Sequence, residues 1–211
     1  MKRGKPLAAQ LLEAAEADLA FAHGRYAIAG TDRGVSLKEV AIAAGGMDEH
    51  ASFAPSAETF PNGCHVCEVE IDPDTGAIEV ARYAVVDDVG TVINPLTVAG
   101  QVHGGIVQGL GQILMEQIVY DAESGQLLTA SFMDYAMPRA TDLCELKVEE
   151  HPVPTMLNPL GVKGVGEAGA VGALAAAMNA IVDALAPLGV RALDMPATPE
   201  RVWRALRAAG K

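Results

Sequence analysis

Asn158-Pro159-Leu160-Gly161-Val162-Lys163-Gly164-Val165-Gly166-Glu167-Ala168-Gly169 decides how the chain is read, because its second half is a literal G-x-G-x-x-G. A dinucleotide-binding fold needs more than that pattern. It requires an apolar strand before the glycines, inside a βαβ unit, and an acidic residue about 20 positions on, at the end of a second strand. Here a Pro/Gly loop over 151–166 comes first, and the candidate acids are Asp183, inside a helical stretch, and Asp194, beyond it. The better reading is a loop running into the start of a helix over 170–185. Free N–H groups and the helix dipole favour negative charge at such an end. Glu167 sits there, so the spacing predicts an ionised carboxylate in a glycine loop. That makes it either a general base or a plain helix-end acid.

Outward from this loop, the pattern is α+β: mixed and antiparallel sheets built from hairpins, with helices packed on one face. Upstream, 6–17 reads as a short helix and 24–29 as a strand. Ser36-Leu37-Lys38-Glu39 matches a capping box opening a helix to about 43. Residues 45–63 lack periodicity and read as a linker between a lobe over 1–44 and a lobe over 64–211. The alternation over 65–72, the turn Asp72-Pro73-Asp74-Thr75-Gly76 and a return strand over 78–87 predict a hairpin. A helix over 98–115 and a second hairpin, 117–120 with 126–132, follow. A strand over 146–149 comes next. The 170–185 helix is expected to bury Val171, Leu174, Met178, Ile181 and Leu185. Thr198-Pro199-Glu200 caps a last helix to about 208.

The 98–115 helix is rich in glycine. Gln101, Gly105, Gln108 and Gln112 fall on one side of it, while Val102, Ile106, Leu110 and Ile113 make an apolar face. Each interior glycine costs about 1 kcal/mol relative to alanine. Two explanations stand: close approach of a flat ligand rich in donors and acceptors, met by the glutamine amides, or tight packing against a neighbouring element.

Composition narrows the classes of function. The 211 residues are 50% hydrophobic, with four Phe, four Tyr and one Trp, and the net charge is −12. That charge argues against nucleic acid and against an anionic membrane surface, both of which call for basic clusters. The uncharged stretch 89–115 could span a bilayer by length but contains Pro95, Asn94, His103 and three glutamines. No secretory leader is evident, and three cysteines imply no disulfide framework, so a cytoplasmic location is expected. Cys64, His65 and Cys67 invite a metal reading, but a strand would point the two thiols to opposite faces, and no second Cys/His pair follows. No metal ligand is expected from them.

Six segments in order resemble one family: FPNGCHVCEVEIDPDTG (60–76), VVDDVGTVINP (85–95), GQVHGGIVQGLGQ (100–112), SFMDYAMPRA (131–140), NPLGVKGVGEAG (158–169) and MPATPERVW (195–203). Together they are similar to the C-terminal part of the molybdenum-binding subunit of the xanthine dehydrogenase/aldehyde oxidase family. The carbon-monoxide-dehydrogenase-type branch is the nearest. The resemblance implies two lobes of a molybdenum-cofactor-binding domain and a molybdopterin, in the cytosine dinucleotide form. It implies that Gln101, with Gly105 and Gln108 around it, and the loop Lys163, Gly164, Val165 and Gly166 contact that cofactor. Glu167 would match the glutamate that takes a proton as oxygen is transferred to substrate carbon. It also implies partners: the upstream half of the subunit, an iron–sulfur subunit and an FAD subunit. The upstream cofactor loops have no counterpart here, so the isolated chain is expected to be inactive and to hold no cofactor. The alternative is a non-catalytic scaffold or assembly domain that has kept the fold. It predicts no neighbouring reading frame for the upstream half.

Overall fold

A computed structural model describes residues 3–48, 50 and 52–210. The chain divides into two compact units, residues 1–54 and 55–211.

The first unit holds α1 (Gly4–Leu12), the strands β1 (Leu19–Ala22), β2 (Arg25–Ile28) and β3 (Gly34–Ser36), and α2 (Leu37–Ala43). β1, β2 and β3 form an antiparallel meander. Its core is Ala8, Leu12, Leu19, Tyr26 and Val40. The capping box at α2 forms as expected, with Ser36 and Glu39 bonded reciprocally. The first helix is shorter than the predicted 6–17. Glu13 turns left-handed, and the Ala14 N–H returns to the Ala9 carbonyl, so the helix closes on a Schellman turn. β1 and β3 were not foreseen; at 4 and 3 residues they carry too little alternation to be seen.

The second unit is built on a mixed sheet. β4 (Asn62–Ile71) pairs antiparallel with β5 (Ile78–Asp88), which pairs parallel with β6 (Leu146–Glu150). The Asp72 carboxylate organises the β4–β5 turn, accepting from the Asp74 N–H and the Thr75 hydroxyl. The register slips at Glu68/Val69, where Ala81 on β5 has no partner. The bulge changes the parity of β5, so Val80 lies on the same buried face as Tyr83, Val85 and Asp87.

Two long helices cover that face. α3 (Pro95–Leu114) starts three residues before the predicted 98, because Asn94 accepts from the Thr97 N–H and Pro95 takes the first helical position. Its apolar face is as expected: Val102, Ile106, Leu110 and Ile113 are all buried. α4 (Ala168–Leu185) begins two residues before 170, and its buried stripe differs from the predicted one. Gly169, Ala173, Ala177, Ile181 and Leu185 face inward, whereas Val171 is 70% exposed. The small residues win the inner face because α3 and α4 cross closely. A Cβ on Gly105 would stand 2.8 Å from the Ala170 nitrogen, and one on Gly109 would stand 2.7 Å from the Ala173 Cβ. α4 is the one helix among the described residues long and apolar enough to cross a membrane. Its i, i+4 stripe is part of the core instead. α5 (Pro199–Ala208) starts at the expected Thr198 cap.

The predicted second hairpin is reduced to one bridge, Tyr120 with Leu127, closed by an Asp121 turn. Ile118, Leu128 and Phe132 are exposed there. Without a neighbouring sheet or core to cover those side chains, the pairing does not extend.

Candidate functional site

One end of this unit carries a cavity of about 550 Å³. It is bounded by Asn62 and Gly63 at the start of β4, by His65 and Asp87 on the sheet, by 164–168, and by Val171 and Gly172 on α4. Gly164, Val165, Gly166 and Glu167 therefore lie together on its wall. Glu167 is the N-cap of α4, exposed, and its side chain makes no capping hydrogen bond. A carboxylate at this point sits at the positive end of an 18-residue helix. It needs no partner within the chain and is free to meet a group in the cavity.

The loop is held at its root. Lys163 donates its backbone N–H to the Val89 carbonyl, and its ammonium sits 2.5 Å from Asp88 Oδ2. Asp88 Oδ1 accepts from the Gly90 and Val153 N–H groups. These bonds, the Lys163 ammonium first, hold the Asp88 carboxyl well below the usual carboxylate range. The Lys163 side chain is thus committed to the end of β5. Gly90 packs where a Cβ would meet the Gly161 carbonyl and stand 3.0 Å from the Lys163 nitrogen. Asn158 closes the preceding loop by bonding both the N–H and the carbonyl of Val162.

The helix residues separate. Gln101 and Gln108 are exposed on α3, and a Cβ on Gly166 would stand 3.9 Å from Gln101 Oε1, so this amide neighbours the loop. Gly105 is buried under α4, against Gly169 and Ala170. The glycines of α3 therefore divide by surroundings: Gly105 and Gly109 serve helix packing, while Gly100 and Gly104 have nothing within 4 Å of an added Cβ.

On the wall, Asp87 escaped the sequence reading, and His65 was weighed there only as a metal ligand. Asp87 is 3% exposed, and its Oδ1 lies 3.6 Å from His65 Nε2. His65 Nδ1 lies 2.7 Å from the Tyr83 hydroxyl. Burial pushes His65 down from its ordinary value, against the pull of Asp87, and pushes Asp87 up, against the pull of His65. Asp87 Oδ2 is buried and has no hydrogen-bond partner among the described residues. The signal available in sequence was parity: past the bulge, Tyr83, Val85 and Asp87 alternate onto the buried face. Of the cysteines, Cys64 is exposed and Cys67 packs at the edge of the core, where burial and then Cys144 push its thiol up to about 11.

The cavity fits a flat polar ring system. Gly164 offers open space where a side chain would stand, Gln101 stands beside the loop, and Asp87, whose buried Oδ2 has no partner among the described residues, lines the cavity.

Comparisons with known proteins agree on one family. The molybdopterin cofactor-binding domain family matches residues 1–144. The chain is 38% identical to the nicotine 6-hydroxylase large subunit of Paenarthrobacter nicotinovorans, over 95% of this chain and 26% of that subunit. It is 34% identical to the carbon monoxide dehydrogenase large chain of Hydrogenophaga pseudoflava, over 97% of this chain and 27% of the relative. The solved structure of quinoline 2-oxidoreductase from Pseudomonas putida 86 superposes with a TM-score of 0.83 at 38% identity, over 98% of this chain and 28% of that one. The chain thus spans about a quarter of the length of the relatives it matches. By these matches and by its mixed α+β fold, the chain belongs to the molybdopterin cofactor-binding domain family, shared with the large subunits of carbon-monoxide- and xanthine-dehydrogenase-type molybdenum enzymes.

Proposed function

We propose that this chain is the C-terminal cofactor-binding portion of a molybdenum hydroxylase large subunit, with Glu167 as its catalytic carboxylate. The observation that carries the reading is the position of Glu167: exposed, at the N-terminus of α4, on the wall of a cavity of about 550 Å³. Gln101, Gln108, Gly164, Val165 and Gly166 would contact a molybdopterin, in the cytosine dinucleotide form. Gly105 would act by setting the close crossing of α3 and α4 that brings Gln101 beside the loop, and Lys163 by fixing the loop to Asp88. When bound, the molybdenum centre supplies the two-electron redox chemistry of hydroxylation.

Glu167 accepts the proton released as oxygen passes to substrate carbon. The N-terminus of α4 directs positive potential toward its carboxylate. The glycines leave the backbone of 164–166 free to lie against a ring, and the cavity wall excludes water from one side. The partners would be the upstream half of the subunit and the iron–sulfur and FAD subunits of a cytoplasmic complex. Exposed Phe132, Met133, Met156 and Leu160 support a larger body covering this unit. The chain alone then offers one wall of the cleft, retains little or no cofactor and turns nothing over.

The experiment is Glu167→Gln in the complex reassembled with the upstream half. A general base is worth roughly 10²–10⁴ in rate, so kcat should fall by that factor at unchanged molybdenum content. Full activity in the variant would overturn the assignment. Stoichiometric molybdenum on the isolated chain, by metal analysis and pterin fluorescence, would overturn the one-wall reading.

A further inference from the structure

The cleft has a second polar feature. Buried polar atoms are nearly all hydrogen-bonded in folded proteins, yet Asp87 Oδ2 has no partner among the described residues while its carboxyl is 97% shielded by the sheet and α4. The surroundings are shaped to this group. A Cβ on Gly63 would collide with the Asp87 carboxyl, and one on Gly172 would collide with the His65 ring. Only glycine leaves room at both places, on β4 and on α4. Tyr83 and His65 form a chain of contacts ending at Oδ1, at 2.7 and 3.6 Å. Oδ2 is the atom left over, on a residue that lines the cavity together with Glu167.

We infer that Asp87 is a ligand-contacting residue of this cleft, its free Oδ2 accepting a hydrogen bond from a ring N–H of the occupant while His65 and Tyr83 hold the carboxyl in place. The inference rests on the reading of the cavity as a ring-binding cleft. Oδ2 accepts from an N–H whether the proton of the pair sits on His65 or on Oδ1, because Oδ1 is the atom facing the imidazole. Burial pushes His65 down and Asp87 up, each against the pull of the other, so burial disfavours the charged form of both groups. The donor belongs to a lactam- or amide-type ring nitrogen, which a heterocyclic substrate and a pterin both carry.

The test uses the cofactor-free complex reassembled with the upstream half of the subunit, with aspartate and histidine labelled in this chain only, following the Asp87 carboxyl carbon and the His65 ring by NMR. The probes are 2-pyridone, which has a ring N–H, N-methyl-2-pyridone, which lacks it, and pterin. We expect saturable shifts at Asp87 with 2-pyridone and binding at least about tenfold weaker for the N-methyl ring, the loss of one hydrogen bond to a carboxyl. In Asp87→Leu the two pyridones should bind alike. The wild-type carboxyl signal keeps the test valid if that variant does not fold. Displacement of 2-pyridone by pterin with the same Asp87 shift assigns the donor to the cofactor ring; a shift with 2-pyridone alone assigns it to the substrate. Equal binding of the two pyridones to the wild-type chain overturns the role of Asp87 and leaves the cleft standing. No shift with any ring overturns the cleft reading itself.

Discussion

Replacing glycines of the α3–α4 pair by alanine separates packing from propensity, because the same change meets different surroundings along one helix. On Gly169, a Cβ would run into the Val102 carbonyl and stand 2.9 Å from the Ile106 nitrogen, against ordinary contacts of 3.4–4 Å. Both atoms are backbone, so no side chain can swing away. The helices must part by at least half an ångström, loosening Val102, Ile106 and Ala173, which are buried to 1% exposure or less. Overpacking of this kind costs about 1–3 kcal/mol. Gly169 is the second residue of α4, where little helix propensity is recovered, so Gly169→Ala should lose most of that amount. Gly100→Ala meets nothing within 4 Å inside α3 and should gain about 1 kcal/mol. At about 2–4 °C per kcal/mol for a chain of this size, the two variants should differ in Tm by roughly 4–16 °C. The assay is thermal and urea unfolding followed through Trp203, the single tryptophan, which lies on α5 of the same unit. A Gly169→Ala protein within a degree of wild type, or a Gly100→Ala protein that melts lower, would refute the close-crossing argument.

Two further outcomes follow from titratable groups. Cys67, pushed up to about 11 by burial and by Cys144, holds roughly 0.1% thiolate at pH 8, against about a quarter for a free cysteine of pKa near 8.5. Its alkylation by iodoacetamide should be at least about two hundredfold slower than that of a model thiol and rise nearly tenfold per pH unit to pH 10; mass spectrometry of Cys67 peptides checks this, and fast labelling at pH 8 would contradict it. Asp88 has its folded pKa depressed, first by Lys163 and then by the Val153 and Gly90 N–H groups. Its contribution is fully present above the unfolded value near 3.9 and is lost as pH falls through the folded one. Asp88→Asn should therefore lower Tm by a constant amount from pH 8 to 5, with the gap closing only in stronger acid; a gap that widens toward acid would contradict the assignment.

Legibility in the sequence followed the range of each interaction. Ser36 with Glu39, Thr198 with Pro199, and Asp72 with Thr75 act within three residues, and each formed as read. The hairpin over 117–132 carried similar local signals and did not extend, because its apolar side chains find no core in this unit. The inner face of α4 was misjudged for a related reason. Periodicity weighted by size selected Val171, which is exposed, beside Leu174 and Met178, which pack at the edge of the core, whereas proximity to α3 selected Gly169, Ala173 and Ala177. Only the partner helix decides between those stripes. The loop over 164–167 was placed by its glycines and its acid. Asp87 was missed because its meaning lies in strand parity beyond a bulge at Ala81, and in a histidine on the neighbouring strand.

That parity also explains why the two carboxylates of the cleft differ. Glu167 sits at a helix N-terminus, exposed, where the backbone supplies positive potential and its side chain makes no capping bond. Asp87 sits on the buried face of a strand, where no dipole helps and burial opposes charge, so it comes with His65 and Tyr83. In the proposed site Glu167 would take a proton and Asp87 would hold a hydrogen bond, and the backbone beneath each sets that difference. The glycines Gly63 and Gly172 give Asp87 and His65 their room, and Gly164 and Gly166 leave the wall bare beside them. Glycine is abundant in this chain because both helix crossing and cleft wall demand it, and the two demands meet in α4, where Gly169 packs against α3 three residues before Gly172 makes space for His65.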